Sequence, residues 1–130
     1  MTDELARAIR ILIVEDESLI AFEVEQSLTD AGFEIAGVAA RVEEALAIIE
    51  DGALDAAVLD ANLNRVSAAP IAITLTARGV PFVVTTGYTR EQLPDGFTAG
   101  AVIEKPCLPE QIIEALTAVL QTNRKLDPAA

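Results

Sequence analysis

Short apolar runs rich in β-branched residues alternate along this chain with longer stretches patterned as helix, and the alternation repeats five times. The first run, residues 9–14, is broken only by Arg10 and reads as a buried strand. Helix formers follow over 17–31. Leu19, Ile20, Glu23, Val24 and Leu28 trace a mostly apolar stripe there, and Gly32 stands where a C-terminal cap belongs. Residues 33–39 read as a second strand. Val42, Ala45, Leu46 and Ile49 then recur at helical spacing until Gly52. A third strand spans 56–59, with Asp60 at its carboxyl end. Asn62, Asn64 and Ser67 mark a loop, and Pro70 suits the first turn of a helix that runs to about Arg78 and stops at Gly79. Residues 81–86 form a fourth strand. Gly87, Pro94, Gly96 and Gly100 punctuate the next segment and leave room for one short helix at most. Residues 101–104 form a fifth strand. Pro109 opens a last helix with Ile112, Ile113, Leu116, Val119 and Leu120 on its apolar face.

Strands spaced by helices favour a parallel sheet with right-handed crossovers and helices on both faces. A chain of 130 residues without linker or repeat has room for one such domain, 1–130, with its core over about 9–121 and frayed ends at 1–8 and 124–130. Ligands bind open parallel sheets at the carboxyl ends of the strands. Glu15, Asp16 and Glu17 follow the first strand and Asp60 the third. Thr85, Thr86 and Gly87 close the fourth, and Lys105 and Pro106 follow the fifth.

Carboxylates brought within a few Å repel by roughly 1–4 kcal/mol per pair at effective dielectric constants of 20–80. A hard divalent cation relieves this. Mg²⁺ prefers oxygen ligands and takes only one or two carboxylates beside water and phosphate. Glu15, Asp16 and Asp60 match that set, and the Asn62 backbone carbonyl is a further candidate ligand. Lys105 adds a compact positive charge, and Thr86 offers a hydroxyl beside the Gly87 N–H. These parts suit an incoming phosphoryl group, with an Asp to attack it. Singly, each has an ordinary explanation: an Asp caps a turn, adjacent acids open a helix, Thr-Thr fits a strand, and a Lys lies on the surface. Their joint occurrence at successive strand ends is what points to chemistry.

Composition narrows the choice. Nine basic residues against 21 acidic ones give a net charge of −12, which disfavours nucleic acid and anionic membrane as partners. The absence of His removes His-dependent triads and most zinc-hydrolase sites. The one cysteine, Cys107, permits no internal disulfide and reads as a packing residue. No apolar run approaches a membrane span, and the acidic start is unlike a secretory signal, so the expected location is the cytoplasm.

With Glu15-Asp16, Val58-Leu59-Asp60, Val84-Thr85-Thr86-Gly87 and Glu104-Lys105-Pro106 in place, the chain resembles the receiver domain of bacterial two-component response regulators. The resemblance implies a flavodoxin-like, doubly wound sheet of five parallel strands in the order 2-1-3-4-5. It implies Asp60 as phosphoacceptor, Glu15 and Asp16 as Mg²⁺ ligands with Asp60, Thr86 as switch hydroxyl and Lys105 as partner of the phosphoryl group or of the free Asp60. It also implies a cis bond at Pro106. Asn62 and Tyr88, two positions beyond the acceptor and the switch Thr, are expected to tune the acyl-phosphate lifetime, a bulky Tyr88 slowing hydrolysis. Such a domain acts as a switch and not as a conventional enzyme. Its phosphoryl donor is a sensor histidine kinase or a histidine phosphotransfer protein, docked on the first helix, and its readout is a downstream protein. No output domain is expected after the last helix.

Two departures stand out, and one partial resemblance to a subfamily. Val102 occupies a position where many receivers carry an aromatic switch residue. Residues 81–88 resemble, in part, a subfamily with a Phe-Ala-Thr-Gly-x-Tyr type fourth strand, in which ordering of the 87–100 segment would be the switch. Arg65-Val66 replace the frequent Gly-Glu after the acceptor, which alters the expected loop. The chief alternative is a receiver-like scaffold that works without phosphorylation, but such proteins usually lose one of the residues kept here. A haloacid dehalogenase-type phosphatase wants an Asp where Asn62 stands. A flavodoxin-like cofactor site is disfavoured by the acids of the first loop.

Overall fold

The computed structural model describes residues 8–126. Five strands form one parallel sheet: β1 (Arg10–Val14), β2 (Glu34–Ala39), β3 (Ala56–Asp60), β4 (Phe82–Thr86) and β5 (Ala101–Glu104). Their order is β2-β1-β3-β4-β5, the 2-1-3-4-5 arrangement of a flavodoxin-like sheet. Four helices connect and follow them: α1 (Ser18–Asp30), α2 (Val42–Asp51), α3 (Ala69–Ala77) and α4 (Pro109–Leu126).

Successive residues of a strand face opposite sides, so a continuous apolar run buries both faces of a central strand. In β1, Leu12 and Val14 pack on the α2–α3 side, while Ile11 and Ile13 pack on the α1–α4 side. Ala57 and Leu59 of β3 and Phe82 and Val84 of β4 join the first layer; Ala56, Val58 and Val83 join the second. Ala45 and Ile49 of α2 and Ile71, Ala72 and Leu75 of α3 cover the first, and Val24, Leu28, Ile112 and Leu116 the second.

The structure revises several expected boundaries and faces. Helix α1 begins at Ser18, with Glu17 as its N-cap, and Gly32 follows at φ 97°. Its buried residues are Ala21, Val24 and Leu28, while Leu19 is 71% exposed and Glu23 is also exposed. Val24 and Leu28 of the expected stripe are thus buried and Ile20 packs partly buried beside them, while Leu19 and Glu23 face outward and Ala21 takes an inward position. Helix α4 continues through residues 124–126, which had read as frayed; 1–7 and 127–130 lie outside the described residues. The 87–100 segment contains a single 3₁₀ turn, Arg90–Gln92, and is tied to the core by buried Phe97.

The expected loop after Asp60 is a small antiparallel ribbon, Asn62–Leu63 against Val66–Ser67. Asn64 and Arg65 close it at φ 51° and 71°, both left-handed. A two-residue hairpin turn of type I′ demands that conformation at both central positions. Asn adopts it readily, whereas Arg tolerates it only because the ribbon ends and buried Leu63 fix the register.

Candidate functional site

The β-ladders continue past the ends of the strands and bring the rim residues together. The Glu15 N–H donates to the Ala39 carbonyl at 2.9 Å, the Ala61 N–H to Thr85 at 2.9 Å, and the Lys105 N–H to Thr86 at 2.7 Å. Asp60 lies in register with Thr85, and Thr86 with Glu104. Backbone hydrogen bonding alone thus places the loops after β1, β3 and β5 around one point.

Asp60 is 6% exposed there. Its Oδ2 accepts from Lys105 Nζ at 2.8 Å, and its Oδ1 accepts from the Asn62 N–H at 3.1 Å. Glu15, Asp16 and Asp60 each present a carboxylate oxygen, and the three lie within 4.8 Å of one another. Glu15 is also buried, and Asp16 is half-buried. Thr86 is buried at the end of β4. The Lys105–Pro106 peptide bond is cis. Tyr88 is half-exposed and borders a cavity of about 210 Å³ with Asn62 and Ser67. Val102 is partly buried against the α2–α3 core layer.

One regularity escapes a reading by motif. The N–H groups of Glu17, Asn62 and Tyr88 donate to the side chains of Glu15, Asp60 and Thr86, each two residues earlier. A short polar side chain that binds the N–H two positions on is a turn-forming device. The same residues therefore shape the loops and supply the polar groups of the site, so the ordinary and functional explanations for them both hold. The available signal was a polar residue at the ends of β1, β3 and β4, two positions before a loop N–H.

The electrostatics follow from this crowding. Burial, with the Asp60 charge adding to it, pushes the Glu15 carboxyl up to about 7 against the pull of the Glu17 N–H and Lys105. Burial works to lower the Lys105 ammonium, but its hydrogen bond and Coulomb attraction to Asp60 outweigh that and raise it. Three oxygen ligands, one Lys and a Glu that resists ionising in the bare protein fit a divalent cation. A group whose folded pKa exceeds its unfolded one stabilises below the unfolded value and loses that contribution as pH rises through the folded one. Metal-free protein should therefore lose about 1–2 kcal/mol relative to Glu15→Gln between about pH 5 and pH 8, and added Mg²⁺ should shrink the gap. Urea denaturation of both proteins checks this; parallel pH profiles would refute it.

The family model of the response regulator receiver domain matches residues 11–117. The transcriptional regulatory protein PdtaR of Mycobacterium tuberculosis is 28% identical over 121 residues, a match that takes in 90% of this chain and 59% of that protein. The chain thus spans less than two thirds of that curated relative. Among solved structures, SdrG of Sphingomonas melonis is 39% identical, with a TM-score of 0.74 over 87% of this chain and 97% of that one. SdrG is also matched in its BeF3-activated conformation, at 39% identity and a TM-score of 0.70 over 87% of this chain and 98% of that one. A CheY-like receiver domain protein of Methanospirillum hungatei is 29% identical, with a TM-score of 0.80 over 92% and 98%. From the carboxylate rim, the sheet order and these matches together, the chain belongs to the response regulator receiver domains.

Proposed function

We propose that this chain is a phosphoryl-accepting switch whose acceptor is Asp60. The observation that carries the reading is a buried carboxylate bonded to Lys105 and within 4.8 Å of two further carboxylates. One Asp60 oxygen attacks the phosphorus of a phosphohistidine. An O–P bond forms, the P–N bond breaks, and the electron pair leaves on the donor imidazole, which takes up a proton. The product on Asp60 is a mixed anhydride. Glu15, Asp16 and Asp60, with the Asn62 carbonyl, are the residues that would hold Mg²⁺. When bound, the cation offsets charge on the transferring group. Lys105 exchanges its Asp60 partner for a phosphoryl oxygen, and the Thr86 hydroxyl donates to another.

With no His in the chain, the donor is another protein, a histidine kinase or phosphotransfer protein. Leu19 and Phe22, exposed at 71% and 57% on α1, supply an apolar docking face. The readout is a protein partner, since a net charge of −12 opposes nucleic acid and anionic membrane. No helix among the described residues is long and apolar enough to cross a membrane. The BeF3-activated conformation known for SdrG supports the same chemistry here.

Intact-mass spectrometry after incubation with acetyl phosphate and Mg²⁺, and again with a phosphorylated donor domain, tests this. One phosphoryl adduct is expected with metal and none after chelation. No adduct from either source would favour a phosphorylation-independent scaffold. Adduct decay in Tyr88→Ala tests the tuning role: faster decay supports shielding by the ring, and an unchanged rate removes it.

A further inference from the structure

The two edges of the sheet differ. At one, β5 has four residues. At the other, β2 has six and is the longest strand of the sheet, since β1, β3 and β4 have five each. An edge strand is normally kept from pairing by shortness, by lysine or proline, or by a covering segment. Residues 34–39 hold no lysine or proline, and among the described residues β2 pairs with β1 alone. Only Ala39 of β2 is buried. Gly37 has no side chain and is still partly exposed, so solvent reaches the backbone itself. The one protective device left is a bulge: the register passes from Ile11 opposite Ile35 to Leu12 opposite Gly37 and skips Ala36. Beyond it the ladder is regular through Ala39.

The direction of the backbone groups there is set by β1. The Ala39 carbonyl accepts the Glu15 N–H at 2.9 Å, so Ala39 faces β1. Alternation along the strand turns the Val38 N–H and C=O outward. No hydrogen bond among the described residues uses them. An extended chain laid antiparallel at this point exchanges both bonds with Val38. The same stretch of a second copy fits, related by a two-fold axis through Val38. The Val38 side chain, 44% exposed, then lies directly opposite its symmetry mate as a β-branched pair. Gly37 and Ala39 on either side are small and admit the second backbone. The charges agree with this pairing. Glu34 and Arg41 flank Val38 at opposite ends, so an antiparallel copy brings each Arg41 beside the other copy's Glu34. Both are exposed. Arg10 holds only Oε2 of Glu34, and Arg41 has only a 3.8 Å ion pair to Glu44.

We propose that the chain dimerises through β2, a second copy continuing the sheet antiparallel across Val38. This needs no phosphoryl chemistry. The net charge of −12 on each copy repels over distances that about 0.15 M salt largely screens. At that ionic strength, sedimentation equilibrium of the whole chain should show a reversible monomer–dimer equilibrium with a Kd below about 1 mM. Val38→Pro removes the outward N–H while the bonds of Gly37 and Ala39 to β1 stay, and it should weaken the dimer at least about tenfold. Should Val38→Pro fail to fold, Val38→Lys sets two like charges opposite each other at the axis and should weaken the dimer comparably. Amide exchange gives an independent reading. The Val38 N–H should exchange more slowly as protein concentration rises, while those of Gly37 and Ala39, which face β1, should not change. The proposal is overturned by a chain still monomeric at about 1 mM. It is also overturned by a dimer that both variants leave intact, or by a Val38 N–H indifferent to concentration. Pairing seen only when another protein is added overturns it too, because the occupant is then an extended segment of that protein.

Discussion

Replacing Asp60 by Asn should abolish phosphoryl incorporation completely while moving folding stability by no more than about 1 kcal/mol. The two effects separate because Asp60 does two jobs. Its Oδ1 accepts the Asn62 N–H and shapes the turn into the ribbon, a bond that an Asn side-chain carbonyl can keep. Its Oδ2 holds Lys105, and that pair is lost. The Lys105 side chain is 31% exposed, so water compensates for much of the loss, and Glu15 nearby still attracts it. One carboxylate fewer also relieves the repulsion on Glu15. Nothing in the variant replaces the nucleophile: an amide oxygen forms no stable mixed anhydride. The comparison is intact mass after acetyl phosphate treatment, set beside urea denaturation. An adduct of undiminished yield in Asp60→Asn would move the acceptor elsewhere. A collapse of stability by several kcal/mol would mean that Asp60 is chiefly structural.

How much of this was legible beforehand depended on whether the determinant was local. Strand periodicity and helix spacing are properties of neighbouring residues, so β1, β3 and β4 could be read from Ile, Val and Leu runs, and α2 from Val42, Ala45, Leu46 and Ile49. The rim residues were legible because a parallel sheet forces its strand ends to one side. Leu19 misled because an apolar residue next to the true stripe carries the same local signal. Only the sheet decides that Ala21 faces inward. The ribbon at Asn62–Leu63 was hidden because Arg65 is a poor residue for a left-handed turn, and tertiary fixing of both ends overrode its preference.

Gly100 shows the same limit in a testable form. In the sequence it is one of several glycines that punctuate an irregular segment. In the fold it is buried against Phe82, a fully buried ring at the start of β4. A Cβ on Gly100 would lie 2.4 Å from Phe82 Cε2 and 2.7 Å from Cδ2. Real Cβ atoms do not come so near, so either the ring or the chain entering β5 must move. Gly100→Ala should therefore cost about 2–3 kcal/mol, although alanine is ordinarily the better residue. The cause is the ring and not the backbone angle, because Gly100 is absent from the positive-φ glycines. In a Phe82→Leu background the shorter side chain leaves room, and the same Gly100→Ala change should cost under about 1 kcal/mol, a coupling of about 1–2 kcal/mol between the two positions. Four urea denaturation curves complete that cycle. If Gly100→Ala costs the same in both backgrounds, the ring is not what excludes a side chain at position 100; a coupling of the expected size makes the Gly100–Phe82 contact the reason for glycine there.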